Sequence, residues 1–202
     1  MVCKFFTLRA LMKSFLFLFL FVNLVWAEFN AKSIQELKNE NFIRQNYEES
    51  CGAASLANVI NFHSLKQFNE KEILEFLQQK TDMLSFAELK GVAMKMGYES
   101  EGFILTRAHL DEINTPLLVK IENDPRFPHF VVVLNFKGDF VRILDPNFGT
   151  YTASKKEFFS VWDKDKEGGY ALIILPKNFQ GFKSEKAPFL STHLLDKIKV
   201  KF

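Results

Sequence analysis

Apolar residues in this chain change period once, at Gly97, and that change constrains the fold more than any other feature. Before it they recur at helical spacing. Ala54, Leu56, Val59 and Ile60 make the stretch from Cys51 to about Phe62 a helix buried on most faces. Ile73, Leu74 and Leu77 line a second over residues 70–77, and Leu89, Val92, Ala93 and Met96 a third. Asn69 reads as the N-cap of the second helix, Ser85 with Glu88 as a capping box opening the third, and Gly97 as its stop. After Gly97 short β-rich runs take over at residues 102–105, 117–121, 130–136, 140–145 and 170–175. A Gly138-Asp139 turn joins 130–136 to 140–145 as a hairpin, which Pro146 and Gly149 close. Short helices fall over 107–113 and after the capping box Ser154–Glu157, the latter carrying Phe158, Phe159, Val161 and Trp162. Helices first and an antiparallel sheet second predict an α+β domain, with the first helix lying against the sheet.

The ends of the chain have a different texture. Residues 28–44 are a polar lead-in, with Ile34, Leu37 and Phe42 on one side of a short helix that packs across the domain. With 202 residues, 48% hydrophobic and 25% charged, the chain can bury one core, placed here over 28–176, with a Lys-rich extension at 177–202. The net charge of +2 is local: Lys4, Arg9 and Lys13 meet no acid in the first 27 residues, and the remainder is near neutral. A nucleic-acid surface would need Lys and Arg clustered on one face, and none is seen. The basic start and the apolar run over 14–27 have the form of an export signal, too short for the ~20 residues that span a bilayer. Val25 and Ala27 predict cleavage after Ala27, and Met12-Lys13 also begins a complete short signal. A periplasmic or secreted protein is expected, an uncleaved membrane anchor being the weaker reading. No GxxxxGK[ST] loop occurs, so this chain is not expected to bind ATP, and nothing calls for a metal or cofactor.

Export removes Cys3 with the signal and leaves Cys51 without a disulfide partner. An unpaired thiol in an oxidising compartment is either a small buried core residue or a chemical one. Its place favours chemistry. At a helix start, unpaired backbone N–H groups and the positive end of the dipole favour a thiolate, the nucleophilic form. A base is then needed, and a third group to hold it. His63 and His193 read as surface residues, and His109 as solvated in a short polar helix. His129 differs, standing between the turn at 124–128 and the apolar strand that starts at Phe130. If the hairpin pairs around Lys137-Gly138, Asp145 emerges at the same end as His129 and can fix the imidazole, although a strand-ending Asp-Pro turn also accounts for it. Gln45, six residues before Cys51, can donate its amide to an oxyanion together with the Cys51 N–H; by itself it is an ordinary loop glutamine.

These residues, in this order, resemble the C39 peptidases, which cut bacteriocin and related leader peptides after a double glycine. The resemblance lies in Gln45, five residues, then Cys51-Gly52-Ala53-Ala54; in His129-Phe130-Val131-Val132-Val133-Leu134; and in Gly138 to Pro146 with Gly149. It continues through Glu157-Phe158, Trp162 and Gly169-Tyr170-Ala171-Leu172, and so covers roughly residues 40 to 175. It implies a papain-like fold, with Cys51 as nucleophile, His129 as general base and acid, Asp145 as orienting carboxylate and Gln45 as oxyanion donor. Relatives of this type are commonly the cytosolic domain of an ABC exporter. This chain carries no transporter helices, has an apparent export signal, and reads Cys51-Gly52-Ala53-Ala54-Ser55 where many relatives hold a second cysteine. The expected function is a cysteine endopeptidase acting on a peptide or protein, cutting after Gly-Gly in a leader if the family specificity holds, with an exporter on a separate chain as a functional partner. A catalytically idle peptide-binding module of the same fold and acyl transfer to an amine are the competing readings.

Overall fold

The computed structural model describes residues 13–15, 17, 19, 31–64, 66–77, 83–113, 115–122, 126–134 and 138–177. The Ala27 junction, His193 and all but the first residue of the 177–202 extension lie outside them. The chain divides into two compact units, Met1–Ile34 and Gln35–Phe202. In the first, residues 13–15, 17 and 19 are helical and Phe15, Phe17 and Phe19 are exposed. No helix among the described residues is long and apolar enough to cross a membrane.

The elements are α1 (Ile34–Lys38), α2 (Cys51–His63), α3 (Glu70–Glu75), α4 (Phe86–Lys95), β1 (Tyr98–Leu105) and α5 (Arg107–Glu112). They continue with β2 (Leu117–Ile121), β3 (His129–Leu134), β4 (Phe140–Asp145), β5 (Gly149–Ser154), α6 (Lys155–Trp162) and β6 (Gly169–Pro176). Capping sets several helix starts. Asn69 with Glu72, Ser85 with Glu88 and Ser154 with Glu157 are reciprocal capping boxes, each satisfying two otherwise orphaned N–H groups. The α+β, papain-like fold expected from the sequence is the fold found.

All pairings in the six-stranded sheet, ordered β1-β6-β2-β3-β4-β5, are antiparallel. Alternation along the strands builds a core on each face. Val131 and Val133 join Leu117, Val119, Phe158 and Trp162 on one side, while Phe130 and Val132 join Leu56, Val59, Ile60, Ile73 and Leu89 from α2–α4 on the other. Helix α2 is buried along nearly its whole length, from Cys51 to Ile60, because it lies between the sheet and the other helices.

Four expectations need correction. Strand β5, Gly-Thr-Tyr-Thr-Ala-Ser, is absent from the sequence reading because Pro146 and Gly149 mark a stop; pairing with β4 from Asp145↔Gly149 to Phe140↔Ser154 makes it a strand. Strand β1 starts at Tyr98, not Gly102, since β6 pairs with its polar first half as well. Helix α1 buries none of its residues, so Ile34 and Leu37 do not pack inward. His63 and His109 are half-buried, not surface side chains.

Candidate active site

The site is assembled where α2 begins and where β3 and β4 end. Cys51 is the first residue of α2, a free thiol 6% exposed. Ser50 is its N-cap but makes no side-chain cap bond. The Ser50 hydroxyl is instead shared between the Tyr47 carbonyl, 2.6 Å away, and the Glu70 carboxylate, leaving the first N–H groups of α2 uncapped.

The pairs Val132↔Leu144, Val133↔Ile143 and Leu134↔Arg142 set the hairpin register. Continued outward, this register brings His129 level with the end of β4. Asp145 shares the sheet side of Val141 and Ile143, and His129 that of Val131 and Val133; these residues form one core, so the two side chains share a face. They meet with His129 Nε2 2.8 Å from Asp145 Oδ1. The same oxygen accepts the N–H groups of Asn147 (2.8 Å) and Phe148 (3.2 Å), which fixes the carboxylate in an Asx-type turn.

The Cys51 thiol is close enough to His129 to favour its charged form. With Nε2 committed to Asp145, Nδ1 is the ring nitrogen left for the sulfur. Burial works against the imidazolium, but the hydrogen bond to Asp145, the nearby Cys51 and the charges of both outweigh it and push the His129 pKa up to about 9. Asp145, 2% exposed, is felt on its other side by Tyr151, whose pKa burial and this carboxylate push up to about 12.

Gln45 is fixed through its backbone next to Asp145: its N–H donates to the Pro146 carbonyl at 3.1 Å. Its side-chain Nε2 donates to the Tyr47 carbonyl (2.8 Å), and Oε1 is buried without a partner. The structure therefore bonds His129 to Asp145, sets Cys51 near enough to favour the imidazolium, and anchors the Gln45 backbone at the Pro146 turn with its amide on the Tyr47 carbonyl.

Three supporting residues escape the sequence reading. Ser55, one turn after Cys51, donates to the Phe130 carbonyl (3.0 Å) and ties α2 to the strand that His129 opens. Asn58, one turn further, pairs with both the N–H (2.8 Å) and the carbonyl (2.9 Å) of Ile43, two residues before Gln45. Positions 51, 55 and 58 form a polar stripe on a helix that is otherwise apolar or glycine as far as Ile60, and that stripe was the available signal. Glu70 is the third, and nothing distinguishes it in sequence from an ordinary acidic first-turn residue.

A thiol at the start of a buried helix, beside an imidazole that a strand-end carboxylate holds, is the arrangement of papain-like cysteine peptidase domains. Residues 39–178 match the peptidase C39 family, and the chain belongs to that family. It is 25% identical over 139 residues to the probable functional amyloid protease FapD of Pseudomonas aeruginosa, covering 65% of this chain and 61% of that protein. It is 27% identical over 163 residues to the lactococcin-G-processing and transport ATP-binding protein LagD of Lactococcus lactis subsp. lactis, covering 79% of this chain and 22% of LagD. The chain thus matches less than two thirds of the length of either relative. Among solved structures, the peptidase domain of Streptococcus ComA superposes with a TM-score of 0.59 at 22% identity, over 67% of this chain and 97% of that domain. A double glycine motif protease from an AMS/PCAT transporter, solved in complex with the leader peptide, gives a TM-score of 0.56 at 26% identity over 67% and 90%.

Proposed function

We propose that this protein is a cysteine endopeptidase in which Cys51, His129, Asp145 and Gln45 carry the reaction. The Cys51 sulfur attacks the scissile carbonyl, and the oxyanion is met by the Cys51 N–H at the uncapped start of α2 and by the Gln45 amide. His129, protonated at neutral pH, delivers its proton from Nδ1 to the leaving amine, giving a thioester. A water molecule then loses its proton to His129 and attacks the thioester, releasing the acid and returning the sulfur and the protonated imidazole to their starting state. Asp145 holds the imidazole by its Nε2–H throughout, so that Nδ1 keeps facing the sulfur. The observation that carries this reading is the His129 imidazole held by Asp145 at 2.8 Å, with the free thiol of Cys51 at the start of α2 acting on the same ring.

The substrate is proposed to be a peptide segment cut after a double glycine. Support comes from the relatives, whose names speak of a double glycine motif protease with its leader peptide and of lactococcin G processing. Export through residues 1–27, with cleavage after Ala27, is proposed from the basic start and the apolar run. In that setting the enzyme works outside the cytoplasm beside an exporter on another chain, and needs no ATP of its own.

The test is cleavage of a peptide library by the mature protein and by Cys51→Ala. Wild type is expected to cut, with glycine selected at the two positions before the bond. Cys51→Ala should lose at least ~10⁴-fold in rate while keeping its fold. Hydrolysis that survives the substitution refutes the nucleophile, and peptide binding without hydrolysis by wild type would make the protein a binding module.

A further inference from the structure

Glu70 is the first residue of α3, yet its carboxylate is turned away from its own helix and is 1% exposed. Among the described residues, all its partners lie on one short segment. Oε2 accepts the Asn46 N–H (2.9 Å) and the Asn46 side-chain amide (3.2 Å). Oε1 accepts the Asn46 N–H (3.2 Å), the Tyr47 N–H (3.4 Å) and the Ser50 hydroxyl. Among the described residues none of its partners is a cation. Burying a carboxylate without a counter-ion is unfavourable unless several donors converge on it, and an apolar side chain would fill the same space more cheaply.

The donors are informative because of where they sit. They span residues 46–50, between Gln45 and Cys51, a segment that forms no helix or strand and passes through Glu49 in the left-handed region (φ 60°). Its two ends are the proposed oxyanion donors. The Asn58 pairing with Ile43 and the Gln45 N–H bond to Pro146 hold one end, and α2 holds the other. Only Glu70 among these anchors gathers the middle, in which the Tyr47 carbonyl in turn takes the Gln45 amide.

We infer that Glu70 is a positioning residue for the reaction proposed above: its carboxylate folds residues 46–50 so that the Gln45 side chain and the Cys51 N–H are set to bind one oxyanion. It touches neither the sulfur nor the substrate and acts through Gln45. This inference rests on the peptidase reading for its kinetics, and its structural half stands apart from it.

The experiment compares wild type, Glu70→Gln, Glu70→Asp, Gln45→Ala and the double variant Glu70→Gln/Gln45→Ala, with melting temperature recorded for each. Glu70→Gln should lower kcat ~10- to 100-fold with KM changed less than about threefold, short of the ~10²- to 10³-fold that losing an oxyanion donor costs. The double variant should be no slower than Gln45→Ala, because the two substitutions remove one function. Alkylation of Cys51 by iodoacetamide, which needs no oxyanion site, should keep its rate and pH profile within about twofold. Glu72→Ala removes the capping box of the same helix without touching residues 46–50 and should lower the melting temperature but not kcat.

An unchanged kcat in folded Glu70→Gln, multiplicative losses in the double variant, or an equal kcat loss in Glu72→Ala overturns the inference. Hydrogen exchange separates its failure from that of the peptidase reading. Glu70→Gln and Glu70→Asp should deprotect the Asn46 and Tyr47 amides while α2 and β3 stay protected. If wild type hydrolyses no peptide, the peptidase reading falls, and exchange alone judges Glu70: unaltered protection of those two amides overturns its clamping role.

Discussion

His129 carries the opposing forces of the site in one side chain. Burial disfavours its charge, while Asp145 and Cys51 restore it and lift the pKa to about 9. Removing the carboxylate unbalances the sum. Asp145→Ala is expected to lower kcat by about 10²-fold or more and to move the alkaline limb of the kcat/KM profile from near pH 9 toward lower pH, because only Cys51 is then left to oppose burial. The substitution also strips the Asn147 and Phe148 N–H groups of their acceptor and loosens the turn whose Pro146 carbonyl anchors Gln45. A pH–rate series on wild type and variant checks this, and an unmoved alkaline limb counts against Asp145 as the partner that charges His129.

Helix α2 and strand β3 must approach closely enough for Cys51 to reach His129, and Gly52 is where they approach. A Cβ there would stand 3.2 Å from the Leu89 side chain and 3.3 Å from the Phe130 ring. Gly52→Ala gains about 1 kcal/mol of helix propensity but must push α2 off its neighbours by a few tenths of an ångström. We expect little change in melting temperature and a loss of ~10-fold in kcat, since small displacements of a nucleophile cost rate disproportionately. Gly52→Val should cost more in both, with about 1–3 kcal/mol of overpacking strain. Parallel melting curves and single-turnover rates separate the two effects; a Gly52→Val enzyme as fast as wild type would show that this approach does not set the rate. The Ser55 bond to the Phe130 carbonyl, across 75 residues of sequence, serves the same approach from the same face of the helix, one turn on.

The whole molecule's stability against pH should be bounded on both sides by histidines. His129 has a folded-state pKa of about 9 against an ordinary 6.5, so the native state holds the extra proton between those values. Its contribution is therefore complete below pH 6.5 and lost as pH rises through 9, on the order of 3 kcal/mol. His63 has the reverse sign. Burial lowers it to about 4 despite a backbone hydrogen bond to Ile174, so the unfolded chain takes up the proton first and stability falls as pH drops from 6.5 through 4. Urea unfolding between pH 4 and 9.5 should trace a dome. His129→Ala should flatten its alkaline side and His63→Asn its acid side; a flat alkaline side in wild type would mean that His129 is not charged by its neighbours.

Much of this protein is decided locally, and so was legible in the sequence. The helical period before Gly97, the strands after it apart from β5, the capping boxes at Ser85 and Ser154, the Asn69 cap and the position of Cys51 at a helix start depend on residues within a few positions of one another, where hydrogen-bond and burial preferences act directly. That His129 and Asp145 leave the hairpin at the same end belongs with these; that they share a face does not, because the observed pairs centre on Gly138 rather than between Lys137 and Gly138, and one residue of register decides the face. Tertiary structure decided what no neighbour could specify. Strand β5 exists because β4 offers it hydrogen bonds, α1 stays exposed although it has an apolar side, and His63 is drawn into the interior. Tertiary contacts also tied the Gln45 N–H to the Pro146 carbonyl and drew Glu70 across 24 residues to the segment before Cys51. A buried polar group takes its meaning from the donors that converge on it, and convergence across such distances leaves no period in the chain to read.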